Sequence, residues 1–139
     1  MTQTTTDNVT LVQSLYEAFG RGDVPTVLAA MSEHIEWNEA EGNPWHPGHA
    51  FVGPQAVVDN VFTKVVGDFE GFTIIPHRFL AAGDTVIMEG RYRAARAHAT
   101  GKPLDAQVAH VWDLRDGSVV RFQQYVDTRQ LADVLGPTA

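Results

Sequence analysis

The sequence predicts an α+β fold, and three observations carry that prediction. Apolar residues at helical spacing fill the first half of the chain, while long runs with a period of two fill the second. The two kinds of segment are not interleaved as βαβ units require. An Asp116-Gly117 pair sits between the last two alternating runs, where a tight hairpin needs residues that tolerate positive φ. At 139 residues and 44% hydrophobic content, the chain is expected to form one domain over 1–139 with one core, preceded by a flexible N-terminus over 1–8.

Each element follows from local chemistry. Thr6 or Asp7 is placed to cap a first helix, whose apolar stripe is Val9, Val12, Tyr16 and Phe19 and whose end is marked by Gly20 and Gly22. Asp23 caps a second helix with Pro25 in its first turn and a stripe of Val24, Val27, Leu28 and Met31. Ile35, Trp37 and Glu39 alternate with Glu36 and Asn38, which reads as a short first strand. The stretch from Glu41 to His49 is rich in turn formers. Gly53-Pro54 then opens a third helix carrying Val57, Val58, Val61, Phe62 and Val65.

Four long strands are expected at Phe69 to Phe79, Thr85 to Ala97, Leu104 to Leu114 and Ser118 to Val126. A short closing helix over Asp127 to Leu135 is capped by Asp127 and stopped by Gly136-Pro137. In the third of these strands Leu104, Ala106, Val108, His110 and Trp112 share one face, opposite Asp105, Gln107 and Asp113. An imidazole thus interrupts an apolar row. On the returning strand Val120, Phe122, Gln124 and Val126 form the corresponding row, with one amide in it. Core faces rarely carry such groups without a partner or a task.

Composition narrows the function. A net charge of −7 with only two lysines argues against nucleic acid and anionic membranes as partners. The absence of cysteine removes disulfides, thiolate nucleophiles and cysteine metal sites. The polar start of the chain has no signal-peptide pattern, and no apolar run reaches spanning length, so a cytoplasmic location is expected. No Gly-x-Ser-x-Gly elbow or phosphate-cradling glycine motif is present, and neither Lys64 nor Lys102 is set up for Schiff-base chemistry. His46-Pro47-Gly48-His49, beside Glu39 and Glu41, is the one arrangement with metal-ligand chemistry. Its spacing and turn residues fit an exposed lid loop better, so no metal and no cofactor is expected.

Three segments, Tyr16 to Asp23, Phe51-Val52-Gly53-Pro54 and His110 to Gly117, occur in the order and spacing of the nuclear transport factor 2-like superfamily. The chain resembles its SnoaL-like branch, which includes polyketide cyclases and relatives of ketosteroid isomerase, over roughly Val9 to Val126. The resemblance implies a cone-shaped, curved, mostly antiparallel sheet wrapped around three helices with a deep cavity inside. It implies no single reaction, since isomerases, cyclases, epoxide hydrolases, dehydratases and non-catalytic proteins share this fold. Aligned on Gly22-Asp23, the general-base position of the ketosteroid isomerases falls on Glu39. Aligned on Gly117, the position of their neutral oxyanion-hole acid falls on His110. Their oxyanion-hole tyrosine falls on Leu15, with Tyr16 adjacent. The acid of the SnoaL-type cyclases and limonene-epoxide hydrolases falls on Gln124, and the epoxide-hydrolase Arg and Asp pair on Gly90 and Tyr92.

Glu39 and His110 are therefore the candidate catalytic residues. By strand parity Glu39 joins Trp37 and Ile35, and burial there would raise its pKa into the range of a general base; the alternative is a solvated carboxylate beside Glu41. A neutral His110 could donate to a developing oxyanion or exchange a proton with Glu39, or it could be a core histidine bonded to a carbonyl. Gln124 could orient a ligand oxygen or bond a neighbouring strand. Tyr16, Trp37, Trp45, Met88, Tyr92, Trp112 and Phe122 are the expected ligand wall, with Gly90 leaving room among Val86, Met88 and Tyr92 for a planar or terpenoid-sized apolar molecule.

By elimination, the enzymatic reading is acid–base chemistry on a carbon skeleton by an isomerase, cyclase or lyase. The alternatives are a non-catalytic protein that binds an apolar ligand, an epoxide hydrolase-like enzyme with altered residues, and an interaction module. The outer sheet face, bearing Glu89, Arg91, Arg93, Asp105 and Arg121, is expected to join two copies as a homodimer.

Overall fold

The structure, a computed structural model, describes residues 5–136. Helix α1 (Thr5–Gly20) begins before either expected cap, so the inner end of the segment expected as a flexible N-terminus is helical. Asn8 is helical and buried, and its Nδ2 donates to Asp84 Oδ1 at 3.4 Å, a tertiary partner that local sequence does not reveal. Met1 to Thr4, the rest of that segment, lie outside the described residues. Helix α2 (Val24–Ala29) follows directly, entered by Asp23, whose carboxylate accepts from the Thr26 N–H at 3.2 Å and from the Thr26 hydroxyl at 2.6 Å. It is short, so Met31 leaves the expected helical stripe and opens strand β1 (Met31–Asn38).

A two-residue strand β2 (Phe51–Val52), not anticipated, pairs with the end of β1. Gly53 then turns the chain at φ 89°, a conformation that side chains resist, into the third helical stretch. That stretch is composite: α3 (Pro54–Val57), a π-helical turn (Val58–Phe62) and α4 (Thr63–Asp68). The extra residue in the wide turn keeps Val57, Val61, Phe62 and Val65 all inward. The expected Phe69 to Phe79 strand breaks at Gly71, whose φ is 68°. It yields β3 (Phe69–Glu70) and β4 (Thr73–Ala82), and Thr85 to Ala97 likewise divides into β5 (Thr85–Ala94) and β6 (Arg96–Ala97). Strands β3 and β6 form a small sheet of their own.

With β7 (Leu104–Arg115) and β8 (Ser118–Val126), the main sheet has the order β2-β1-β8-β7-β5-β4. It is antiparallel except where β1 runs parallel to β8. The β7–β8 hairpin turns on Asp116 and Gly117, at φ 50° and 79°, the two positive values that the Asp-Gly pair announces. Along β7 the alternation holds throughout, with Leu104, Ala106, Val108, His110, Trp112 and Leu114 buried.

Two bulges correct expectations based on parity. In β8 one extra residue stands between the Arg121–Asp113 and Val119–Leu114 pairs, so the inner row runs Val119, Phe122, Gln124 and Val120 leaves it. In β4 the register slips at His77, between the Pro76–Gly90 and Arg78–Glu89 pairs. There a Cβ on Gly90 would lie 2.2 Å from the Ile75 carbonyl oxygen, so Gly90 makes way for the β4 backbone and leaves no ligand space.

Helix α5 (Thr128–Leu135) closes the chain, capped by Asp127, which accepts from the Gln130 N–H at 3.1 Å. It ends at Gly136, and Pro137 lies outside the described residues. One apolar cluster joins α1, β1, the composite helix and the hairpin end of the sheet through Trp37, Phe62, Trp112 and Phe122. A second joins β5, β7 and α5 through Tyr92, Leu104 and Leu131. Tyr16 on α1 packs against both. On the outer face Arg91 and Arg93 pair with Asp105 at 2.6 and 3.3 Å, Arg121 lies 3.7 Å from Asp113, and Arg78 pairs with Glu89. These exposed pairs add little stability. No helix among the described residues is long and apolar enough to cross a membrane.

Candidate active site

The sheet register brings the expected polar residues together. Trp37 pairs with Phe122 and Asn38 with Gln123 across β1 and β8, so Glu39, one residue past β1, comes level with Gln124. Gln124 pairs in turn with His110 on β7, and His110 with Met88 on β5. Glu39, Gln124 and His110 thus form one rung across three strands. Two bonds hold the chain on either side of Glu39: Asn38 Nδ2 donates to the Phe122 carbonyl at 3.2 Å, and the Ala40 N–H donates to Gln124 Oε1 at 3.2 Å.

Glu39 and His110 are each only 2% exposed. The solvated alternative for Glu39 does not hold, because the chain turns inward after Asn38. Its Oε2 accepts from Trp37 Nε1 at 3.4 Å, while Oε1 is buried with no hydrogen-bond partner among the described residues. Burial pushes its pKa up to about 7 against weaker opposing pulls from Trp37 and Lys64. A carboxyl that half-ionises near neutrality, with one oxygen unoccupied, can take or give a proton.

The His110 ring bonds two phenols and no backbone carbonyl. Its Nδ1 lies 2.6 Å from Tyr16 Oη and its Nε2 lies 2.5 Å from Tyr92 Oη. Burial pushes its pKa down to about 3, so the ring is neutral at physiological pH. Burial also raises the pKa of both tyrosines, to which Glu39 adds at Tyr92, so both keep their hydroxyl hydrogens. Trp112 Nε1 donates to Tyr16 Oη at 2.8 Å. Gln124 Nε2 donates to Tyr92 Oη at 2.9 Å, and Gln124 Oε1 also accepts from Asn43 Nδ2 at 2.9 Å. Asn43 belongs to the 41–49 loop and is buried; in sequence it reads only as a turn former, since its partner is 81 positions away.

Except for Asn43, which sits behind Gln124, these groups line one cavity of about 60 Å³. Of the expected ligand wall, Tyr16, Trp37, Trp45, Tyr92, Trp112, Phe122 and Gln124 line it, as do Glu39 and His110. Met88 does not; it is wholly buried behind the lining, with its sulfur against Gly90. Leu15, Phe62, Phe72 and Leu131 also line the cavity. The space is well below the roughly 150 Å³ that accommodates benzene. It is therefore smaller than the planar or terpenoid-sized ligand expected from its lining. Aromatic rings fill the middle: Trp37 stacks on Phe122 with centroids 3.7 Å apart, and Trp112 meets both edge-on. Binding such a ligand requires these rings or the flanking loop to shift. That loop is pinned by Trp45, whose Nε1 donates to Asp68 Oδ2 at 3.0 Å and whose ring edge meets Phe69.

The His46 and His49 loop uses its imidazoles locally. His46 Nδ1 accepts from the Gly48 N–H at 2.9 Å, and His49 Nδ1 lies 2.8 Å from the Ala50 carbonyl oxygen. Among the described residues no group of three or more His, Asp or Glu side chains is placed to hold a metal ion.

Comparison with known proteins agrees with this architecture. A nuclear transport factor 2-like protein from Burkholderia thailandensis E264 is 33% identical, with a TM-score of 0.87 over 94% of this chain and 98% of its own. One of unknown function from Burkholderia pseudomallei K96243 is 27% identical, with a TM-score of 0.84 over 94% and 98%. A candidate SnoaL-like polyketide cyclase from Jannaschia sp. CCS1 shares the fold at 17% identity, with a TM-score of 0.77 over 96% of this chain and 94% of its own. No curated protein matches the sequence. The SnoaL-like domain family matches residues 12–122, most of the chain, including Tyr16, Glu39 and His110 though not Gln124, and the protein belongs to that family.

Proposed function

We propose that this protein is a cofactor-independent acid–base catalyst of the isomerase, cyclase or lyase type, acting on an apolar ligand that carries a carbonyl oxygen. One observation carries the reading: Glu39 Oε1, a carboxylate oxygen buried in an apolar cavity, has no hydrogen-bond partner among the described residues. A buried carboxylate costs several kcal/mol unless something offsets it, and natural sequences keep such a group where it has work to do. In the proposed step Glu39 takes a proton from the carbon next to the carbonyl. The C–H electron pair becomes the enolate double bond, and the carbonyl π pair moves onto oxygen. The His110 and Tyr16 pair, at the polar end of the cavity, steadies that oxygen. Returning the proton to a different carbon completes an isomerisation; attack by the enolate carbon on a second carbonyl of the same ligand completes a cyclisation.

A second reading is a binding protein without catalysis. It is favoured by the mutual satisfaction of Gln124, Tyr92 and His110, which need no ligand to complete their hydrogen bonds. One experiment separates the two. Apolar cyclic ketones, first selected by native mass spectrometry for binding, are incubated with the protein in deuterium oxide, and loss of α-hydrogens is followed by NMR. Faster exchange with wild type than with Glu39→Gln supports catalysis. Binding with no exchange above buffer would establish the second reading.

A further inference from the structure

We propose that Asn43 and Gln124 are positioning residues which act through Tyr92 and His110 to fix one proton direction across the site, holding His110 as its Nδ1–H tautomer and leaving the Tyr16 hydroxyl hydrogen as the donor offered to the ligand. The tautomer follows from the protein alone. The role of Tyr16 in turnover rests on the proposed acid–base reading.

The direction is set at the backbone, where donors cannot be reassigned. The Trp45 N–H donates to Asn43 Oδ1 at 2.9 Å, so the Asn43 end facing Gln124 is its NH2 group. The Ala40 N–H reaches Gln124 Oε1 at 3.2 Å, beside the Asn43 NH2 at 2.9 Å. Two independent donors therefore identify that atom as the amide oxygen, and the other end of Gln124 can only donate. It donates to Tyr92 Oη at 2.9 Å.

Tyr92 must now place its own hydrogen. His110 Nε2, 2.5 Å away, is the acceptor in reach, whereas Glu39 Oε1 has no hydrogen-bond partner among the described residues and so does not take it. A neutral imidazole has one donor and one acceptor. With Nε2 accepting, Nδ1 carries the hydrogen and donates to Tyr16 Oη at 2.6 Å. Trp112 Nε1, which can only donate, reaches the same oxygen at 2.8 Å. Tyr16 Oη thus receives two hydrogen bonds and retains a hydrogen with no acceptor among the described residues. The side chain lines the cavity that Glu39 also lines.

The consequence is a division of labour. Tyr16 meets the ligand oxygen, and His110 acts on it only through Tyr16. Two N–H donors on its oxygen make the hydroxyl a stronger donor, because hydrogen bonds in a chain polarise one another. On that reading the ligand's carbonyl oxygen accepts from Tyr16 while its adjacent C–H faces Glu39. The chain of bonds also begins in the 41–49 loop, so the loop that flanks the cavity and the proton order of the site are one unit.

The test is the tautomer of His110, read from long-range proton–nitrogen correlations in protein labelled with nitrogen-15 at histidine, with His110→Gln used to assign the signals. The wild type is expected to show Nδ1–H and an unprotonated Nε2. Gln124→Glu keeps the size but converts the donor facing Tyr92 into an acceptor. Tyr92 should then turn its hydrogen to the introduced carboxylate, and His110 should switch to Nε2–H. An Nε2–H or doubly protonated His110 in wild type overturns the proposal, and that spectrum decides even if the variant does not fold. A folded Gln124→Glu protein that keeps Nδ1–H also overturns it. For turnover, Tyr16→Phe should slow α-hydrogen exchange by about two to three orders of magnitude. An unchanged rate removes Tyr16 as donor. Absence of exchange in wild type defeats the acid–base reading, with the tautomer result still deciding the relay.

Discussion

Replacing Glu39 with glutamine should change how stability depends on pH. The Glu39 carboxyl moves from an ordinary 4.5 to about 7 on folding, because burial penalises its charge. The native state therefore holds this proton more tightly than the unfolded chain does. The resulting stabilisation is present below the unfolded value and is lost as pH rises through the folded one. From the two values the full loss is about 3 kcal/mol, a large share of the roughly 5–15 kcal/mol that separates native from unfolded domains. His110 works in the opposite sense. Burial lowers it from 6.5 to about 3, so its contribution is present above 6.5 and is lost as pH falls through about 3. Where both groups titrate, the two slopes oppose each other, and only on the alkaline side does Glu39 act alone. The difference between wild type and Glu39→Gln cancels His110 and every other group. Urea denaturation at about pH 5 and about pH 8.5 should show the variant gaining roughly 2–3 kcal/mol on the wild type across that interval. Parallel stability curves for the two proteins would refute the inference that Glu39 is a desolvated carboxyl.

Three further outcomes are expected. Gly90→Ala should destabilise by about 1–3 kcal/mol or more, because its Cβ meets a strand carbonyl that cannot rotate away; urea denaturation measures it, and a neutral effect would mean that β4 gives way freely. Sedimentation equilibrium should show a homodimer, and Glu89→Arg with Arg91→Glu should shift it toward monomer; a concentration-independent monomer mass in wild type would refute the outer-face interface. Dialysis against a chelator should leave Tm and ligand binding unchanged, and loss of either, restored by zinc, iron or manganese, would assign the His46 and His49 loop a metal role.

What the sequence disclosed and what it hid divide along physical lines. Strand β7 was legible because a period of two is strict within an unbroken strand, which is how His110 could be placed inside from its neighbours alone. The caps Asp23 and Asp127 and the Asp116-Gly117 turn were legible because each satisfies a local backbone need. Parity failed wherever one extra residue entered, at Val120 and at His77, because bulges are set by the neighbouring strand. Gly90 was misread as space for the same reason. The π-helical turn left no mark, since Val58, Val61 and Phe62 keep helical apolar spacing around the polar Asp59 and Asn60. The site was half visible: Glu39, His110 and Gln124 stood out as polar groups in apolar rows. Asn43 did not, because a loop asparagine looks the same whether it faces water or a glutamine 81 residues away. Tyr16 read as part of a helical stripe and ligand wall, but its hydroxyl's bond to His110 was hidden because it spans 94 residues.

The central claim is that Glu39 carries the proton. It is tested most directly by the rate of α-hydrogen exchange on a bound ketone, measured against pH for wild type and Glu39→Gln together. The account predicts a wild-type rate that rises with pH through a midpoint near the value of about 7 that burial gives Glu39, and a variant slower by about two to four orders of magnitude with that rise removed. A variant that exchanges at the wild-type rate, with the same rise in pH, would contradict it.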